Sequence, residues 1–429
     1  MTSAPKQRLI GVDVARGLAL IGMMAIHILP GYDENYAPTL SWTLFSGVSA
    51  GLFALLAGVS LTFTSGGRTP LTGRALTAAK WALAVRALII MSIGLLLAVL
   101  NPPAAIILAY YGTMFLMAIP LLGRGPRFLA LAALGFAVLG PIFMQSVRDH
   151  LPGLGDYDPT FGSLVTEPTA TISTLLVDGT YPAIPWMAYI CAGLALGRLD
   201  LRSHAVQVKV ALWGVGLAVG SWLLSEALLG PFGGRTALLQ ATPWLNATGL
   251  SDIQIWGPDP TLPTTSWWWL AILSPYSATP LELFNTIGIA AATLGIMLIL
   301  AGKSASAYMP LAAMGGMTLT LYSAHLVALS TGFLLDRPGV CLAVHTVAAA
   351  LFAVIWRNVT AGKQGPLERV VSNGAGRARK RVLDNRAPAD LPARPGEATE
   401  TLTTAGLEER TASDQVPTTA GPDAQRGSR

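Results

Sequence analysis

Residues 11–31 read GVDVARGLALIGMMAIHILPG, a run long and apolar enough to cross a bilayer that nevertheless holds Asp13, Arg16 and His27. Ionisable groups at membrane depth are costly, so their presence points to function by default. Their spacing sharpens the point. Eleven residues at about 3.6 per turn is close to three turns, so Arg16 and His27 share one helix face. Asp13 lies three residues before Arg16 and falls near that face. The rise from Arg16 to His27 is roughly 16 Å at 1.5 Å per residue, about half of a ~30 Å hydrocarbon core. Arg16 is expected near one membrane surface and His27 past the midplane.

The rest of the chain agrees with a membrane setting. Of 429 residues, 52% are hydrophobic and only 12% are charged, about half the charge fraction of a soluble domain. The formal charge of +5 is spread over short loops and the tail, so it is no nucleic-acid signature. Cys191 and Cys341 both fall in apolar runs, giving neither a disulfide framework nor metal-ligand spacing. The start MTSAPKQRL has a signal-like basic region, but Asp13 and Arg16 interrupt the apolar run that follows, so a retained first helix is expected.

Apolar runs of spanning length fall at about 12–31, 43–64, 82–100, 105–123, 128–147, 181–198, 209–229, 281–301, 310–334 and 339–356. The fold expected is all-α and polytopic, with about ten transmembrane helices. The connections alternate in charge. One set carries Lys6 and Arg8; Arg68, Arg74 and Lys80; Arg124 and Arg127; Arg198, Arg202 and Lys209; Lys303; Arg357 and Lys363. The other set is poor in basic residues, which places both termini in the cytoplasm by the positive-inside rule. Two long loops, 148–180 and 230–280, then lie outside, and the run Ser266 to Leu273, with its three tryptophans, is expected in the outer interface. Residues 1–370 would form the membrane domain. Residues 371–429 would be a basic juxtamembrane segment, with Arg377, Arg379, Lys380 and Arg381 against anionic headgroups, and a disordered tail. There is no visible internal repeat.

Several residues carry candidate chemistry. His27 is the first choice for a general base, because imidazole titrates near neutral pH. Asp13 and Arg16 form either part of that site or a self-neutralising pair near the surface. Arg68, Arg74, Arg86 and Arg198 are candidate phosphate ligands, since arginine pairs bidentately with phosphate; topology determination is the plainer reading of the loop members. Glu282, with Asn285 one turn deeper, could line a polar substrate cavity, although Thr279-Pro-Leu-Glu282 also reads as a capping box. His325 follows several hydroxyl residues and could face such a cavity, whereas His345 reads as structural. Gly47, Gly51, Gly193, Gly197, Gly216 and Gly220 form three small-residue spacings suited to close helix contact.

Taken in order, these stretches resemble a family. Val12-Asp-Val-Ala-Arg16-Gly-Leu-Ala-Leu-Ile-Gly-Met23 is similar to the opening helix of transmembrane acyltransferases related to heparan-alpha-glucosaminide N-acetyltransferase and their YeiB-type bacterial relatives. Leu55 to Leu61 (LLAGVSL), Gly179 to Trp186 (GTYPAIPW) with Ala192 to Arg198 (AGLALGR), Gly316 to Tyr322 (GMTLTLY) and Gly365 to Arg369 (GPLER) resemble later landmarks. The Arg-x10-His spacing resembles the acyltransferase-three family instead. The histidine of the human-type enzyme aligns near Pro38, so a carried-over catalytic role rests on His27. The resemblance implies an acyl-CoA donor, acetyl-CoA foremost, and no metal. It implies an acceptor hydroxyl or amine on an extracytoplasmic envelope glycan or glycolipid, and a multi-pass protein of the cytoplasmic membrane in contact with its lipids. A homodimer is left open. The rival reading is a transporter or flippase, but the inverted repeats common there are not visible.

Overall fold

The computed structural model describes residues 9–155, 157–259, 261–360 and 364–384, and every named element among them is helical. In chain order these are α1 (Ile10–Ile28), α2 (Leu40–Phe45), α3 (Val48–Thr64), α4 (Gly73–Leu97), α5 (Leu108–Ala118), α6 (Pro126–Val147), α7 (Phe161–Thr166), α8 (Pro168–Ser173), α9 (Ala183–Gly197), α10 (His204–Leu229), α11 (Gly234–Ala241), α12 (Ala247–Trp256), α13 (Pro280–Lys303), α14 (Met309–Gly315), α15 (Thr318–Ser330), α16 (Pro338–Val359) and α17 (Pro366–Asp384). One compact unit ends at Asn385. The expected disordered tail, and Lys6, Arg8 and Lys363, lie outside the described residues.

Each of the ten apolar runs holds a helix, in keeping with an all-α polytopic membrane protein. Among the described residues seven helical stretches are long and apolar enough to cross a membrane, or eight if the bent pair α14–α15 is counted. Leu108–Leu121 and Ala183–Gly197 are shorter. Counting apolar residues overestimated them because caps and turns consume part of each run: Pro182, for example, is non-helical ahead of α9. From Pro185 to Cys191 α9 is buried without interruption. A helix enclosed by other helices need not match the bilayer, because irregular backbone at its ends is shielded by protein. The α14–α15 pair is bent by 81° at Gly316 and Met317.

Helix α1 sits inside the bundle, packed on α3, α13, α14 and α16. Glycines permit the approach. A Cβ on Gly11 would strike the backbone of Leu298, one on Gly17 the carbonyl of Leu311, and one on Gly315 the carbonyl of Asp13. Gly58 and Gly193 do the same for α3 against α9, and Gly197 faces Thr62. The Gly216–Gly220 spacing is a correction, because both glycines face open space. The α10–α13 contact runs instead through Gly214, set against Gly288 and Ala292.

Polar contacts sort the loops into two ends. At the near end Arg198 reaches the carbonyls of Ser65, Gly67 and Leu122, and Arg68 pairs with Asp200. At the far end Trp42 donates to Ile255, Gln145 to Pro263 and Arg148 to Leu262. The long loop between α10 and α13 builds its own small core from Leu229, Leu238, Leu250, Leu262, Trp269 and Ile272. Trp269 is therefore a core residue, and only Trp267 of the triplet is exposed.

Candidate active site

Arg16 is held at the near end of the bundle. It pairs with Asp13 at 3.2 Å and donates to Ser60 of α3, whose hydroxyl in turn donates to the Leu56 carbonyl at 2.6 Å. The first two resembling stretches thus meet in one hydrogen-bonded group. Beside it lies a cavity of about 480 Å³, within the ~300–1,000 Å³ range of small-molecule sites. Arg16, Ser60, Arg86 and Arg379 line it together with apolar residues from α3, α4, α5 and α15. Met23, Tyr111 and Tyr322 also line it. Met23 lies seven residues beyond Arg16, about 10 Å along the helix.

Helix α17 forms one wall. Val371, Ser372, Ala375, Gly376 and Arg379 face the cavity at the three- and four-residue steps of a single helix face. The helix runs through residue 370, where the sequence suggested a boundary, and packs along α4. Its first turn supports the bend: the Glu368 carboxylate accepts from the backbone N–H of Leu319 (2.7 Å) and Thr320 (3.2 Å) and from the Thr320 hydroxyl (2.6 Å). A carboxylate at that position satisfies exposed N–H groups and meets the positive end of α15. The stretches Gly316–Tyr322 and Gly365–Arg369 are joined there.

His27 lies one turn past Met23 and His325 lies three residues past Tyr322, so both are just beyond the inner end of the cavity. His27 Nδ1 is 3.2 Å from His325 Nε2, and His325 Nδ1 is 2.8 Å from His345 Nδ1. His325 is buried; His27 and His345 are half-buried. His325 therefore faces two histidines, and through it His345 is linked to His27. Among the described residues no group of three or more His, Cys, Asp or Glu side chains is arranged to hold a metal ion.

The other expected site residues lie elsewhere. Arg198 is almost fully buried and spends its guanidinium on near-end carbonyls and Ser65. Arg68 is exposed and paired with Asp200 at 3.0 Å, while Arg74 is exposed and donates to the Val382 carbonyl at 3.0 Å. Of the four arginines read as phosphate ligands, only Arg86 lines the cavity, and its Nε is buried with no hydrogen-bond partner. Glu282 is buried against the Tyr189 hydroxyl at 3.1 Å and the Thr286 hydroxyl at 2.9 Å. Thr279 caps the backbone of Glu282, but the Glu282 side chain turns inward, so only half of the expected capping box forms. Asn285 does not share its surroundings: its amide donates to the Ala218 carbonyl of α10 at 2.8 Å.

The model of the catalytic domain of heparan-alpha-glucosaminide N-acetyltransferase matches residues 8–225. The chain belongs to this family. The match runs from α1 through most of α10 and contains Asp13, Arg16, His27, Ser60 and Arg86. No curated protein matches the chain. The bent pair, Glu368 and Arg379 fall beyond the matched segment, yet they close the same cavity. The sequence reading missed Glu368 and Arg379 as site residues. The signal for Arg379 was present, because the small or apolar positions 371, 372, 375 and 376 share its helix face, but the surrounding basic cluster read as a lipid contact.

Proposed function

We propose that the protein transfers an acyl group, acetyl foremost, from acyl-CoA bound at the near end to an amine or hydroxyl of a glycan or glycolipid at the far end. The single observation carrying this reading is the cavity: lined by three guanidiniums, Arg16, Arg86 and Arg379, it stops one helical turn short of His27. The unpartnered Nε of Arg86 suits an anionic guest, and arginine clusters match the geometry of phosphates. An apolar inner wall of Met23, Ile107, Leu108 and Phe115 suits the pantetheine arm. His27 then takes the proton of the attacking acceptor while the thioester C–S bond breaks. The near end is the cytoplasmic one in this reading, consistent with its basic loops, and the membrane is the cell membrane. The acceptor reaches His27 from the side of the long loops.

Purified full-length protein should bind acetyl-CoA and release its thiol, faster when D-glucosamine is added as acceptor. His27→Ala should bind acetyl-CoA normally and lose about 10²–10⁴ in rate. Absence of binding by the wild-type protein would overturn the reading, and wild-type turnover by the variant would remove His27 from the chemistry.

A further inference from the structure

The three histidines come from three separate helices, α1, α15 and α16, and the chemistry of neutral imidazole restricts what their contacts can be. Each ring carries one N–H and one lone pair. Both nitrogens of His325 are occupied, one by His27 and one by His345, so a neutral His325 donates at one contact and accepts at the other. Only two arrangements satisfy both contacts with neutral rings. In the first, His27 Nδ1–H donates to His325 Nε2 and His325 Nδ1–H donates to His345 Nδ1. In the second, both bonds run the other way. The first leaves the lone pair of His27 on Nε2; the second puts the hydrogen there. His27 Nε2 has no hydrogen-bond partner among the described residues.

Ring geometry supports bonding rather than stacking for the first contact. His27 and His325 are within 10° of parallel, but their centroids are 5.4 Å apart with the facing nitrogens at 3.2 Å. Rings set nearly in line, edge to edge, give that combination. The His325–His345 pair is perpendicular, at 88°, with a shorter 2.8 Å contact.

We propose that His325 and His345 are positioning residues that hold His27 with Nδ1 protonated and Nε2 as the base, and that share the proton Nε2 receives. The proposal rests on the reading of His27 as general base. In the step itself, the acceptor O–H or N–H bond breaks as its electron pair forms the new bond to the acyl carbon. The proton goes to His27 Nε2. The C–S bond breaks with its pair moving to sulfur, and the proton on Nε2 then forms the S–H bond of the free thiol. Between these two transfers the chain carries one extra proton. It can move from His27 Nδ1 to His325 Nε2, and from His325 Nδ1 to His345 Nδ1, so no single ring must hold the charge in an apolar setting. No other reactant is needed, and the chain returns to its starting protonation.

The arrangement is the same in kind as an aspartate orienting a catalytic histidine, with the difference that the orienting group is itself a proton carrier. The test uses full-length protein, acetyl-CoA and D-glucosamine, and measures acetyl-CoA affinity, kcat, KM and the dependence of kcat on the deuterium fraction of the solvent. His345→Ala, on the most exposed of the three helices, should lower kcat at least ~10-fold, below the ~10⁴ lost when the orienting aspartate of a hydrolase triad is replaced, and leave acetyl-CoA affinity and KM unchanged. His325→Gln, whose amide oxygen can still accept from His27 Nδ1, should retain more activity than His325→Ala. The solvent dependence should be curved in the wild type, with more than one proton in flight, and linear in both His325 variants. If His27→Ala is inactive while both His325→Ala and His345→Ala keep wild-type kcat and the curved dependence, the positioning proposal fails and the base assignment stands. If His27→Ala is fully active, both fall. A loss of acetyl-CoA binding in His345→Ala would show a role in folding and would also overturn the proposal.

Discussion

Arg86 and Arg198 show how the same residue type takes different work. Arg198 sits at the end of α9 where three loop carbonyls converge, and its hydrogen bonds hold those loops together. The Nε of both is buried without a hydrogen-bond partner, but Arg86 has no such carbonyls around it and lines the cavity. Replacing them should therefore separate binding from stability. Arg86→Gln should raise the KM for acetyl-CoA at least ~10-fold with little change in thermal stability, because a charge-assisted contact is worth about 1.5–3 kcal/mol. Arg198→Gln should leave the KM of the surviving protein unchanged and lower its thermal stability. The two variants compared by thermal melting in detergent and by acetyl-CoA titration give the check; equal KM effects would mean that the cavity is not the phosphate site. Sequence could place both arginines near one membrane surface, but it could not separate them, since the difference lies in which backbone carbonyls the fold brings within reach.

Among the elements, the bend between α14 and α15 depends on residues distant in the chain. Gly315 lets the backbone of α14 meet Asp13, and Glu368 of α17 satisfies the N-terminus of α15. Glu368→Ala removes three accepted hydrogen bonds and should cost about 0.5–2 kcal/mol, the range for losing a side-chain helix cap. It should also weaken acetyl-CoA binding, because α15 and α17 both line the cavity. Glu368→Gln keeps one acceptor oxygen and should fall between the two. Thermal melting with and without acetyl-CoA measures both effects; an Ala variant as stable and as tight-binding as the wild type would show that the bend stands without Glu368. The apolar run 310–334 marked where α14 and α15 lie. The break at Gly316 and Met317 was hidden inside an unbroken apolar run, and α17 was hidden inside a basic cluster. In both cases tertiary partners decide the structure. The contact of His345 was not legible for the same reason: its partner, His325, is twenty residues away on another helix.

For the whole molecule, the described helices through α17 form one compact unit that contains every residue assigned to the site. Deleting residues 386–429 should therefore leave membrane insertion and acetyl-CoA turnover within about twofold of the full chain, since that segment is rich in Pro, Ala and Thr, with no aromatic residue to bury. Deleting from residue 366 onward should abolish acetyl-CoA binding, because it removes one wall of the cavity and the support of α15. Activity of both truncations in the same membranes measures the contrast; a tail deletion that inserts normally but is inactive would contradict it. The basic near end also predicts sidedness, with reagents applied from outside reaching the loops 148–180 and 230–280 and sparing residues 65–80.

The central claim is that acyl-CoA occupies the cavity beside Arg16, and one labelling measurement addresses it directly. Cys191 and Cys341 are both buried, so a cysteine introduced at half-buried Ala375 on the cavity wall can be followed by its rate of reaction with a maleimide in the full-length protein. A cysteine at exposed Ser251 in the far-end loop serves as the control. Saturating acetyl-CoA should slow labelling at Ala375→Cys at least about tenfold, as expected for ligand filling a pocket that buries most of its surface, and leave Ser251→Cys unchanged. Acetyl-CoA that binds with undiminished labelling at Ala375→Cys would place the donor elsewhere and contradict the account.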